Sequence, residues 1–281
     1  IRSYCKVNLS LHVLKRLKNG YHAISSLITF CNLCDIISIS KSKSMKDEIK
    51  FSGQFKKGIT NINTISKLLN LLRKKKILNN NFFKINIEKN IPHGSGLGGG
   101  SSNAAYLLNY FNAKCKLKLK KKELQIIARK IGFDVPISLE KKNTFLTGIN
   151  EQLLRINKKF KLNVLIVYPN LNCSTKEVYK KNKIIGLNSS KFNTHVKNNK
   201  KLIKYLIKEK NDLENAAIKI HPIIEKIINH IKSQKGCYFS RITGSGSACI
   251  GIFSNMKNAI YAKKSIKLKY PKYWCVVSKT I

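Results

Sequence analysis

The residues best suited to chemistry are the fifteen from Ile91 to Ala105 (IPHGSGLGGGSSNAA), of which five are Gly. Backbone without Cβ atoms can curl round an anion and point its N–H groups inward. The flanks differ in period. Before the loop, Phe83, Ile85 and Ile87 alternate with Lys84, Asn86 and Glu88, which predicts a strand with one dry face. After it, Ser101, Ser102 and Asn103 are N-cap candidates, and Ala104, Ala105, Leu107 and Leu108 form the apolar side of a helix. Strand, glycine turn and helix start in that order make a phosphate cradle. A flexible Gly/Ser linker would not be hemmed in this way. A Walker A loop is excluded, since no Lys precedes Ser101. Gly94, Gly96 and Gly99 fit a dinucleotide pattern only because the run is so rich in Gly, and a protein-kinase glycine loop would be followed by a strand.

Four other stretches hold chemistry-bearing side chains. From Tyr4 to Val13, Cys5, Val7, Leu9 and Leu11 alternate with Lys6, Asn8, Ser10 and His12, predicting a strand with a dry and a polar face. Lys6 and Asn8 then project from one side. Such a face is ordinarily just solvated, but beside a phosphate loop Lys6 would reach a transferred phosphoryl group or an acceptor oxygen. Gly20-Tyr21-His22 follows a polar turn, Lys15 to Asn19, and on its own fits core packing as well as binding. Leu124, Ile127, Ala128 and Ile131 predict a helix ended by Gly132 at C′. Asp134 then caps the next helix, with Pro136 in its first turn. Ser240 to Cys249 (SRITGSGSAC) is a second glycine motif, alone no more than a hairpin turn.

The rest of the chain supplies the scaffold. Asp35 to Ile39 reads as a strand, Lys41 to Gly58 as a polar hairpin region, and Asn61 to Leu72 as a helix burying Ile65, Leu68, Leu69 and Leu72. Lys161 to Tyr168 is a buried strand opening a second domain. Ser174 caps a helix with Glu177 as its box partner. The first half of the Lys/Asn-rich stretch from Lys180 to Lys210 reads as a mobile loop. Asn211 to Glu214 and His221-Pro222 open helices, with His221 a surface or capping residue. A helix to about Lys269 and an edge strand over Trp274 to Val277 end the chain.

Composition narrows the function classes. The 281 residues suffice for two domains, and 43% hydrophobic content builds ordinary cores. A formal charge of +42 suggests a nucleic-acid binder, but the lysines are scattered over every segment and never interleave with aromatics. A general drift towards Lys, Ile and Asn explains the charge better. Cys31 and Cys34 form a C-x-x-C without the second half of a zinc site, so they read as buried free thiols of a reducing compartment. No apolar run approaches the roughly 20 residues that span a bilayer, and the expected location is cytoplasmic.

Pro92 to Ala105, Lys6-Val7-Asn8-Leu9 and Gly132 to Pro136 together resemble the GHMP family of small-molecule kinases. Gly20-Tyr21-His22 is similar to the branch whose acceptor carries a cytidine diphosphate moiety. Tyr4-Cys5 replaces the family's Pro-Ala before the Lys. The resemblance implies a two-domain α+β fold, with a ribosomal-protein-S5-like domain over 1–157 and a ferredoxin-like domain over 158–281. It implies ATP and acceptor in the cleft between the domains. It implies Lys6 and Asp134 as catalytic residues. Pro92, His93, Gly94, Ser95, Gly96, Leu97, Gly98, Gly99, Gly100, Ser101 and Ser102 would bind ATP, with Asn61 against the adenine. Asn8, Tyr21, His22, Thr175, Tyr179, Gly244 and Ser245 would lie on the acceptor side, Tyr21 and Tyr179 closing on the cytosine ring. Mg²⁺ is implied with ATP, Ser102 being the candidate ligand. A monomer or homodimer is expected, without membrane or nucleic-acid partners. A family kinase for mevalonate, homoserine or a sugar would share the loop but not need Tyr21, His22 and Tyr179.

Overall fold

The computed structural model describes residues 1–281 apart from 19, 149–151, 184–185, 187–191 and 193–197. The chain begins β1 (Arg2–Asn8), β2 (His12–Arg16), β3 (His22–Lys41), β4 (Glu48–Ser52), α1 (Thr64–Lys74), β5 (Phe83–Glu88), α2 (Gly99–Lys114), α3 (Lys121–Ile131) and α4 (Val135–Ser138). It continues β6 (Asn143–Thr147), β7 (Gln152–Ile156), β8 (Asn163–Tyr168), α5 (Thr175–Lys181), α6 (Asn199–Lys208), α7 (Glu214–Ile220) and α8 (Ile223–Lys232). Then come β9 (Cys237–Ile242), β10 (Cys249–Phe253), α9 (Met256–Lys269) and β11 (Trp274–Lys279). Two compact units interleave along this order. The first holds Ile1–Lys6, Leu33–His93 and Gly98–Lys141; the second holds Val7–Asn32, Gly94–Leu97 and Lys142–Ile281.

In the first unit the later half of β3 pairs antiparallel with β5, Ile36 opposite Glu88 through Lys41 opposite Phe83. β5 alternates buried and exposed residues without a break, as its period-two sequence requires. β4 lies parallel to β5, so the region expected as a hairpin crosses over instead of turning back. Helices α1, α2 and α3 cover this sheet. Ile65, Leu68, Leu69 and Leu72 of α1 meet Ala104, Leu107, Leu108 and Phe111 of α2 in one core. Each buried Leu, Ile or Phe side chain among them contributes about 1.5–3 kcal/mol. α1 starts at Thr64, three residues after Asn61. Asn63 is extended, and its Oδ1 accepts from the Ile65 and Ser66 N–H groups, which fixes Thr64 as the first helical residue.

In the second unit β8 to β11 form an antiparallel sheet in the order β11-β8-β10-β9, with β11 at an edge as expected. Counted from β8, that order is 4-1-3-2, and the interposed helices complete the ferredoxin-like pattern expected from residue 158 onward. Ser174 caps α5, accepting from the Glu177 N–H. β2, the first half of β3, β6 and β7 make the unit's other sheet segment. Lys15 and Arg16, read as part of a turn, belong to β2. The Lys/Asn-rich stretch read as a mobile loop falls largely outside the described residues.

The strand expected over Tyr4 to Val13 breaks after Asn8, and its polar face is not solvated. Lys6, Asn8 and Ser10 are as buried as Cys5, Val7 and Leu9. Each finds a partner far along the chain, which a local alternation cannot register. Cys31 is buried and Cys34 half-buried; both are free thiols, and burial pushes the Cys34 thiol up.

Candidate active site

In the first unit three distant stretches meet. Lys6 of β1 directs its Nζ to Asp134 Oδ2 at 3.2 Å, and the two side chains are unequally covered, 4% exposed against 42%. The cation is held inside while the carboxylate faces outward, where an incoming hydroxyl can reach it. Asp134 occupies the N-cap position of α4 but does not cap it. Its backbone is helical and its side chain makes no cap hydrogen bond, so the expected double role reduces to the pairing with Lys6. Gly132 ends α3 in an extended conformation, not the left-handed one expected of a C′ glycine.

The glycine loop supplies the third stretch. α2 begins at Gly99, with Gly98 as a left-handed N-cap residue at φ +68° that has no side chain to cap the helix. Ser101, Ser102 and Asn103 are therefore inside the helix and are not its caps. The turn at Gly98 sets the helix start earlier than the polar side chains suggested. The first N–H groups of α2 have no intrahelical acceptor, and this end carries the positive pole of the helix dipole. Lys6 lies across Gly98, and a Cβ there would come within 2.7 Å of Lys6 Cγ. An anion cradle, an ammonium and a partly exposed carboxylate thus adjoin one another.

A buried cluster holds this loop. Asp35 is wholly buried; its carboxylate is paired with Lys89 Nζ and accepts from the Asn90 and Ile91 N–H groups, each at 2.8 Å. It also accepts from Asn103 Nδ2 at 2.9 Å. Burial pulls the Lys89 ammonium below its ordinary value while Asp35 pushes it back up. Neither Asp35 nor Lys89 was singled out from sequence. The available signal was an acid inside an otherwise apolar strand, between Cys34 and Ile36. Thr64 Oγ1 adds a bond to the Gly100 carbonyl at 2.8 Å.

The other expected ATP residues differ in what they offer. Pro92 is buried and Leu97 wholly so, leaving them as packing residues that shape the loop through their backbone. His93 Nε2 meets the Lys57 carbonyl at 2.8 Å. Asn61 is exposed on the approach to α1. Ser102, the candidate metal ligand, is wholly buried, and its hydroxyl is bonded to Ser138 Oγ at 3.1 Å. That does not fit a first-coordination ligand as it stands. Among the described residues no group of three His, Cys, Asp or Glu side chains surrounds a point able to hold a metal ion.

In the second unit, Gly94 to Leu97 run against the Gly-Ser-Gly turn between β9 and β10. The Ala248 N–H bonds the Ser95 carbonyl at 3.1 Å, and a Cβ on Gly96 would lie 2.0 Å from the Thr243 carbonyl oxygen. The turn is fixed by Asn211, whose amide donates to the Ile242 and Gly244 carbonyls, and by Thr243, whose hydroxyl accepts from the Asn8 N–H. Thr175 and Ser245 share a hydroxyl–hydroxyl bond of 3.0 Å. Asn8 turns its side-chain amide to Ser26 Oγ, inside the unit. The rings of His22 and Tyr179 stack with centroids 4.8 Å apart, while Tyr21 is 52% exposed. Burial, then the nearby Arg16 charge, lowers the His22 pKa below its ordinary value, so a neutral imidazole faces Tyr179 at neutral pH.

Two family models match the chain, the GHMP kinases N terminal domain over residues 63–142 and the GHMP kinases C terminal model over 195–271. The chain belongs to the GHMP kinases. It is 39% identical over 283 residues to the 4-diphosphocytidyl-2-C-methyl-D-erythritol kinase of Pelagibacter ubique strain HTCC1062, covering 100% of this chain and 98% of that one. A protein of the same name from Wolbachia pipientis wMel is 35% identical over 291 residues, with 98% and 97% covered. Among solved structures, a 4-(cytidine 5'-diphospho)-2C-methyl-D-erythritol kinase superposes with a TM-score of 0.75 at 24% identity, covering 99% of this chain and 98% of that one. The homoserine kinase of Cytophaga hutchinsonii reaches 0.69 at 15% identity, with 99% and 95% covered, so the architecture is shared across kinases of different acceptors.

Proposed function

We propose that this chain transfers the γ-phosphoryl group of ATP to the 2-hydroxyl of 4-diphosphocytidyl-2-C-methyl-D-erythritol, a step in making isoprenoid precursors by the non-mevalonate route. The observation that carries the reading is the Lys6–Asp134 pair at 3.2 Å beside Gly98, at the uncapped start of α2. The ATP phosphates would rest on the amides that open α2. Asp134 would take the proton as the acceptor oxygen attacks phosphorus and ADP leaves. Lys6 would offset the negative charge on that oxygen and on the transferred group. Magnesium would arrive with the nucleotide; among the described residues no group of His, Cys, Asp and Glu side chains forms a cage for it.

The choice of acceptor is supported by the relatives' names and by the second unit's aromatic pair. Tyr179 and His22 offer a flat ring and a neutral hydrogen-bonding ring to a pyrimidine base. Tyr21, exposed next to His22, is the proposed second aromatic contact. Division of the chain near residue 157 is supported by the family models lying on either side of it. The test is ATP consumption with a panel of acceptors: the cytidine-diphosphate methylerythritol, mevalonate, homoserine and galactose. Turnover with the first alone, inhibited by CMP, is expected. Turnover with another acceptor and none with the first would overturn the assignment, and absence of ATP use with all four would overturn the kinase reading.

A further inference from the structure

We infer that Asp35 is a positioning residue for phosphate transfer, acting through the glycine loop by tying both of its ends to one buried carboxylate. The inference rests on the kinase reading of that loop. It starts from where β5 stops. The ladder with β3 ends at Ile36 opposite Glu88, so Asp35 stands one step on, across from Lys89. Beyond that step the chain peels away towards Pro92, and the Asn90 and Ile91 N–H groups lose the strand partners they would otherwise have. A buried N–H without an acceptor is strongly unfavourable. The Asp35 carboxylate accepts from both at 2.8 Å and so fixes the point at which strand becomes loop.

The same carboxylate reaches the other end. Asn103, the fifth residue of α2, donates to Asp35 Oδ2 at 2.9 Å, while its own buried Oδ1 has no hydrogen-bond partner among the described residues. The Asn103 amide is thus oriented by Asp35, and the N-terminal part of α2 is registered against the loop's entry. A bare carboxylate beneath a phosphate cradle would repel its ligand. Lys89 pairs with Asp35 there, its Nζ 3.3 Å from where a Cβ of Gly99 would stand, so anchor and counter-charge together are close to neutral. Fixed amides bind a polyanion without reorganisation, and loosening either tether should therefore act on nucleotide binding before anything else.

The experiment measures binding of β,γ-imido-ATP by calorimetry, and the two KM values, for the intact chain and for Asp35→Asn and Asn103→Ala. Asp35→Asn is expected to weaken nucleotide binding about tenfold or more and Asn103→Ala roughly threefold to tenfold, with the acceptor KM of both within about twofold. A purely structural role would lower the folded fraction and leave affinity and both KM values of the folded molecules unchanged; that result overturns the inference. Should Asp35→Asn fail to fold, Asn103→Ala decides alone, and nucleotide affinity within about twofold of the parent counts against it. A parent chain that binds no nucleotide overturns the kinase reading itself, an outcome distinct from parent and variants binding alike.

Discussion

Gly96 and Gly98 stand two residues apart in one loop, with φ of +80° and +68°, yet each is glycine for a different reason. A Cβ on Gly96 would meet backbone, the Thr243 carbonyl oxygen at 2.0 Å and the Gly246 nitrogen at 3.2 Å. A Cβ on Gly98 would meet the Lys6 side chain, at 2.7 Å from Cγ and 2.9 Å from Cε. The first glycine lets two turns of chain pass each other; the second makes room for the Lys6 side chain, whose amine is proposed to serve the reaction. On the proposed mechanism, one is needed for the fold and the other for the chemistry.

Paired substitutions turn that contrast into measurements. Gly96→Ala has no flexible neighbour to displace and should destabilise the protein by at least about 3 kcal/mol, from left-handed strain plus overpacking. A melting curve within a few degrees of the parent would remove the distinction. Gly98→Ala should cost only about 1–2 kcal/mol of stability, since Lys6 can shift, but the shift misplaces its amine and should lower kcat about 100-fold. Equal losses of stability in the two variants, with kcat retained in Gly98→Ala, would show that both glycines serve the fold alone.

Smaller effects separate the units further. In the second unit the His12 pKa is held up to about 9, first by Asp212, whose Oδ1 lies 3.5 Å from its Nδ1, and then by the hydrogen bond to Glu209, with burial opposing. Its folded pKa lies above the ordinary value of 6.5, so its stabilisation is complete below pH 6.5 and is lost as pH rises through about 9. At about 1.4 kcal/mol per unit, that is at most roughly 3.5 kcal/mol. His12→Asn should therefore destabilise most at pH 6 and least at pH 10, as read by denaturant unfolding; a penalty independent of pH would contradict the assignment. Smallest is Tyr179→Ala, expected to raise the acceptor KM about threefold to tenfold through loss of a stacked ring, with the ATP KM unchanged. A change confined to the ATP KM would remove Tyr179 from the acceptor side.

How much of this was legible beforehand depended on the range of the interactions. The alternation at Phe83 to Glu88, the apolar face of α1 and the cap at Ser174 are local, and each stands where the sequence put it. The resemblance likewise led to Lys6 and Asp134, which do meet. Partners remote in sequence were missed. Lys6, Asn8 and Ser10 looked like a solvated face because their partners Asp134, Ser26 and the Leu27 backbone lie elsewhere in the chain. Asp35 read as one polar residue in a strand, although four separate groups converge on it. Asp134 looked like a cap because its helix is real, but its own backbone is helical and its side chain makes no cap hydrogen bond, pairing with Lys6 instead.

The central claim is that Asp134 serves the chemistry and not the fold. Comparing Asp134→Asn with the parent for single-turnover phosphoryl transfer and for ATP affinity tests it most directly. The account expects transfer to fall at least about 1,000-fold with ATP affinity within about threefold. Equal loss of both, tracking a lowered melting temperature, would contradict it.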